Sequence, residues 1–139
     1  MPDMIDRTLL EGWVFNDPVS AREFEAWSRD SGLTLPADYL EFMYAHDGGE
    51  GWVGDNYLIL WKLSELVPFN RDYEVRTYAP GLLLFGSSGG GEAFAYDMRQ
   101  AVPSIVMVPF VGMSLASVIE VASDMAGLFD ALKRDAMYG

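Results

Sequence analysis

Polar and apolar positions divide this chain into helical patterns at its two ends and strand patterns between them. The segment NDPVSAREFEAWSRDSG (16–32) predicts a first helix. Asp17 is placed to cap it, Pro18 suits the first helical position, Gly32 ends it, and Phe24, Trp27 and Ser31 share one face. LTLPADYLEFMYAHDGG (33–49) predicts a second, starting at Pro36 and stopped by Gly48 and Gly49, with Tyr39, Phe42 and Met43 on one core-facing stripe. The glycine-interrupted HDGGEGWVGD (46–55) separates it from NYLILWKL (56–63), a short run of β-formers that predicts a strand buried on both faces. LSELVPFNRDYEVRTYAPG (63–81) has irregular spacing and reads as a connection with one helical stretch over residues 69–78.

LLLFGSS (82–88) and EAFAYDM (92–98), separated by Gly89–Gly91, predict a β-hairpin, with Phe94 and Tyr96 on one face and Ala93, Ala95 and Asp97 on the other. SIVMVPF (104–110) predicts the next strand, with Pro103 and Pro109 at its ends where a missing donor costs least, and SVIEV (117–121) another. Ser123 is placed to cap a closing helix, DMAGLFDALKRDA, in which Met125, Leu128, Phe129 and Leu132 form an apolar stripe. Lys133 and Arg134 suit its C-terminal dipole, while Gly127 weakens it by about 1 kcal/mol relative to Ala. The expected fold is a single α+β domain: a central mixed or antiparallel sheet of about 4–6 strands, helices at the N-terminal side and one closing helix.

Composition narrows the function. The chain has 139 residues, half of them hydrophobic, which suits one folded core and excludes the signature of disorder. It has no cysteine, which removes disulfides, thiolate metal sites and cysteine nucleophiles. The start, MPDMIDRTLL, lacks the basic and apolar regions of a signal peptide, and no stretch is long enough to span a bilayer, so a cytoplasmic location without membrane contact is expected. A formal net charge of −12, from 21 acidic and 9 basic residues, opposes nucleic acid and anionic lipid and favours encounter with a basic protein.

Candidate chemistry is sparse. GSSGGGE (86–92) lacks the Lys of a phosphate loop and leads into a strand, so it reads as a hairpin turn. His46, the only histidine, sits where a helix should end, and the catalytic alternative would use it with nearby carboxylates as acid, base or metal ligand. Glu92 and Asp97 differ by an odd number along one strand, which points them to opposite faces and disfavours a catalytic pair. The segment DGGEGWVGDNY (47–57) places Trp52 and Tyr57 among acids. Trp52 either folds inward over the core or stands out as an anchor for a basic partner. Glu50, Trp52, Asp55, Glu92 and Asp97 are the candidate partner-binding residues; no catalytic residue, cofactor or metal site is assigned.

Four stretches in order, LPADYLEFMYAHDGGEG (35–51), YLILWKLSEL (57–66), GLLLFGSSGGGEAFAYD (81–97) and VIEVASDMAGLFDAL (118–132), resemble the pattern of the SMI1/KNR4 (SUKH) family. That pattern comprises a helix opening LPxxY, a glycine-rich turn, a strand pair around a G-x-x-G-G-G-like turn, and a final strand and helix. Residues 1–17 have no counterpart in it, so the expected division is an N-terminal segment, 1–17, and a domain, 18–139. Ala126 stands where the closing helix often carries an acidic partner for Ser123. The resemblance implies a mixed sheet backed by helices and a non-catalytic, protein-binding role. In bacteria that role is frequently immunity: binding and neutralising a polymorphic or contact-dependent toxin, often a nuclease, whereas other members are regulatory scaffolds.

Overall fold

The computed structural model describes residues 7–134. Seven strands form one antiparallel sheet in chain order: β1 (Val14–Phe15), β2 (Gly49–Val53), β3 (Asn56–Leu60), β4 (Leu82–Ser87), β5 (Glu92–Asp97), β6 (Ser104–Pro109) and β7 (Ile119–Ala122). Helices α1 (Ala21–Ser31) and α2 (Ala37–His46) lie between β1 and β2, α3 (Leu63–Asp72) and α4 (Val75–Tyr78) between β3 and β4, and α5 (Met125–Lys133) follows β7. The α+β class is as expected; the sheet is larger than 4–6 strands and purely antiparallel.

The additional strands are β1, only two residues long, and β2, which the glycines of GGEGWVG conceal from a reading by strand propensity. Those glycines are required by close approach. A Cβ on Gly51 would lie 2.3 Å from Cδ1 of Trp13, whose indole packs there and donates from Nε1 to the Trp52 carbonyl at 3.1 Å. The two-residue turn Gly54–Asp55 joins β2 to β3, with Gly54 at φ 62° in the first-position role that hairpin turns favour.

α2 organises the core. Tyr39, Phe42 and Met43 are buried as its stripe requires; Tyr39 packs edge-on against Phe85 and Tyr96, and Phe42 against Phe129 of α5. Each fully buried side chain of this size contributes about 1.5–3 kcal/mol. Two aspartates of α2 also serve other helices. Asp38 accepts the N–H of Met125 at the start of α5 (2.9 Å), and Asp47, at the left-handed end of α2 (φ 50°), accepts that of Leu63 at the start of α3 (2.9 Å). These donors would otherwise be unpaired at a helix start.

Several boundaries differ from the sequence reading. α1 starts at Ala21 because Ser20, not Asp17, caps it: the Ser20 hydroxyl accepts the Glu23 N–H and donates to the Glu23 carboxylate, both at 3.1 Å. α3 begins at Leu63, before Pro68, because Asp47 and Glu65 satisfy its first donors; the expected stretch over 69–78 is instead the end of α3, a break, and α4. α5 is capped by Asp124, whose carboxylate accepts the Gly127 N–H at 2.7 Å, not by Ser123. A Cβ on Gly127 would meet that carboxylate at 3.0 Å, which explains a glycine in the first turn. β3 is fully buried on one face only: Tyr57 and Ile59 stay half-buried between the buried Asn56, Leu58 and Leu60.

β4, β5 and β6 are buried on both faces along nearly their whole length. Beyond the point where β3 leaves the sheet, Asn70 of α3 replaces it: its side chain donates to the Leu84 carbonyl (2.9 Å) and accepts the Leu84 N–H (2.8 Å). No helix among the described residues is long and apolar enough to cross a membrane.

Candidate functional site

The exposed face of the β2–β3 hairpin carries the most distinctive surface chemistry. Alternation along β2 turns Glu50 and Trp52 outward, and the pairings Glu50↔Ile59 and Trp52↔Tyr57 put all four side chains on one face. Trp52 is 63% exposed, so it does not fold inward over the core. The Trp52 ring meets Tyr57 edge-on, with centroids 5.0 Å apart at 76°. Tyr57 in turn donates its hydroxyl to the Glu50 carboxylate at 2.6 Å, which raises the phenol above its ordinary value because ionisation would lose that bond.

The β4–β5 turn lies beside this face. Ser88 orders it: its hydroxyl donates to the Glu92 carboxylate at 3.1 Å and accepts the Gly90 N–H at 3.0 Å, while its backbone N–H bonds the Glu92 carbonyl at 3.0 Å. The loop's donors therefore turn toward serine hydroxyls, as in a hairpin turn. Gly89, at φ 80°, rests over Tyr57 and Ile59: a Cβ there would lie 3.6 Å from both side chains. Between the hairpin and this loop is an open depression of about 610 Å³, with Asp55 and Glu92 on its walls and Tyr57 and Ile59 in its floor.

Glu50, Trp52, Asp55 and Glu92 thus come together. Asp97 does not join them: it ends β5, roughly 17 Å from Glu92 at strand rise, and is 3% exposed. Its carboxylate is held by Arg99 through bonds of 2.9 and 2.8 Å, and this pairing keeps it below the usual carboxylate range. Ser88, read in the sequence only as part of the hairpin turn, and Ile59 were not among the candidates; a serine two residues before Gly90 is the signal for such a turn. His46 stacks on Phe15 (4.1 Å between centroids, 20°) and packs against Phe42 at 5.0 Å, a position at the helix end. Among the described residues, no three His, Cys, Asp or Glu side chains group as metal ligands.

Residues 18–131, which include the LPADY opening of α2, the glycine turn into β2 and the β4–β5 hairpin, match the model of a known family. The chain belongs to the SMI1/KNR4 family (SUKH-1). The uncharacterized protein YnaB of Bacillus subtilis (strain 168) is 33% identical to this SUKH chain over 72 residues, 52% of the chain and 46% of YnaB. That match spans about half the length of either protein. In this chain, the Asp38 of LPADY holds the start of α5, Tyr39 packs on Phe85 and Tyr96, and the glycines around β2 admit Trp13 and β1.

Proposed function

We propose that this SUKH chain is a non-catalytic protein-binding domain of immunity type, which docks its acidic aromatic face on a basic bacterial toxin domain and blocks that domain's access to substrate. The observation that carries the reading is a tryptophan 63% exposed and held against Tyr57, with Glu50, Asp55 and Glu92 around it. An exposed aromatic anchor with a charged rim has the composition of a binding hot spot, and family membership is consistent with such a role. The net charge of −12 accelerates encounter with a basic partner, and the anchor slows departure.

The partner is expected to be a polymorphic or contact-dependent toxin, a nuclease among the candidates, met in the cytoplasm. Co-expression with a toxin domain from the same genomic neighbourhood tests this: the chain restores growth, and Trp52→Ala abolishes the rescue while remaining folded. Rescue that persists in Trp52→Ala combined with Glu92→Gln rejects this face; failure to rescue with any neighbouring toxin rejects the immunity role and leaves a regulatory interaction scaffold.

A further inference from the structure

The depression beside Trp52 has a chemistry narrower than that of a generally acidic surface. Two carboxylates line it, Asp55 and Glu92, and no cationic side chain does. Its aromatic part is Trp52 with Tyr57, and an indole 63% exposed leaves open π-surface. The Ser88 hydroxyl fixes one oxygen of Glu92, so the carboxylate is oriented before a ligand arrives. The glycine tip keeps the space clear, since a Cβ at Gly89 would point at Ile59 and Tyr57 from 3.6 Å.

We infer that this depression is a receptor for an arginine side chain carried on a loop of the partner, the guanidinium lying against the exposed Trp52 ring with its N–H fork shared between Asp55 and Glu92. The inference rests on reading this face as a protein-binding surface. Guanidinium is planar and weakly hydrated, stacks on aromatic rings and donates two parallel bonds to a carboxylate. Ammonium is compact, strongly hydrated and meets the carboxylates as a point charge. A site offering aromatic surface and fixed acceptors together therefore selects arginine over lysine. Phosphate and other anions are disfavoured by both carboxylates, and a second copy of this chain by its own charge of −12.

The test is a low-salt NMR titration of the full chain with three capped tripeptides, Gly-Arg-Gly, Gly-Lys-Gly and Gly-citrulline-Gly. Saturable shifts are expected at the Trp52 indole N–H and the Gly89 and Gly90 amides, with arginine at least about threefold tighter than lysine and no saturation by citrulline. Glu92→Gln weakens arginine binding about tenfold, whereas Glu120→Gln, on β7, leaves it unchanged. Equal, diffuse shifts for arginine and lysine overturn the inference, as does equal weakening by Glu92→Gln and Glu120→Gln. Arginine selectivity without growth rescue keeps the receptor and rejects the immunity role; Trp52-dependent rescue without arginine selectivity does the reverse.

Discussion

Asp47 offers a sharp test of how the helices are joined. It is 7% exposed, adopts φ 50° at the end of α2, and its carboxylate accepts the Leu63 N–H that opens α3. Replacement by Ala removes an acceptor worth about 1 kcal/mol and places a residue without a polar side chain in the left-handed region at a cost of roughly 1 kcal/mol more. Asn keeps the acceptor and tolerates that backbone, so Asp47→Ala should lose about 2 kcal/mol and Asp47→Asn very little. With a denaturant slope of about 2 kcal/mol/M, the Ala variant's urea midpoint falls by about 1 M. Charge separates Asp47→Asn from wild type as well. Burial raises the Asp47 carboxyl above its ordinary 3.8, partly opposed by the Leu63 N–H and by Lys62. The folded state therefore holds this proton more tightly than the unfolded chain, and Asp47's contribution to stability falls as pH rises from 3.8 through the higher folded value. Asp47→Asn should gain on wild type between about pH 3.5 and pH 7. Urea denaturation of the three proteins at both pH values decides: equal losses for Ala and Asn, or an Asn variant that falls further behind wild type at pH 7, would refute the reasoning.

Other expectations follow from single contacts. Gly51→Ala drives a methyl into Trp13 and should cost about 3 kcal/mol, visible as a lowered melting temperature and altered near-ultraviolet circular dichroism. Trp52→Ala should change stability by no more than about 0.5 kcal/mol in the same melt, since the side chain is largely in solvent. Asp97→Ala should lower the melting temperature without altering the rescue proposed above, because Arg99 loses its partner at the far end of β5. The depressed Asp97 carboxyl adds stability that is complete above its unfolded value and disappears as pH falls through the lower folded one, so the gap between wild type and Asp97→Ala should narrow in acid urea melts.

Much of this fold was legible because local pattern and burial agree. The stripe Tyr39–Phe42–Met43, the hairpin around Gly89–Gly91 and the stripe Met125–Leu128–Phe129–Leu132 all occur where spacing places them. What was hidden depended on distant partners. β2 is rich in glycine because Trp13 and β1 press on it, and α3 starts at Leu63 because Asp47 reaches that N–H from 16 residues away. The candidate face was legible in part by composition, since Glu50, Trp52 and Asp55 share a short segment and the alternation of β2 turns Glu50 and Trp52 to the same side. Composition could not show that Asp97 is buried at the other end of β5, paired with Arg99 two residues on.

The claim beneath these arguments is that the molecule acts through its acidic aromatic face. Stopped-flow association with the toxin domain proposed as partner, over a series of salt concentrations, tests it most directly. The account predicts an on-rate that falls steeply with salt, and a Trp52→Ala variant that associates at nearly the wild-type rate but dissociates at least about a hundredfold faster. An on-rate indifferent to salt, together with an unchanged off-rate for Trp52→Ala, would contradict it.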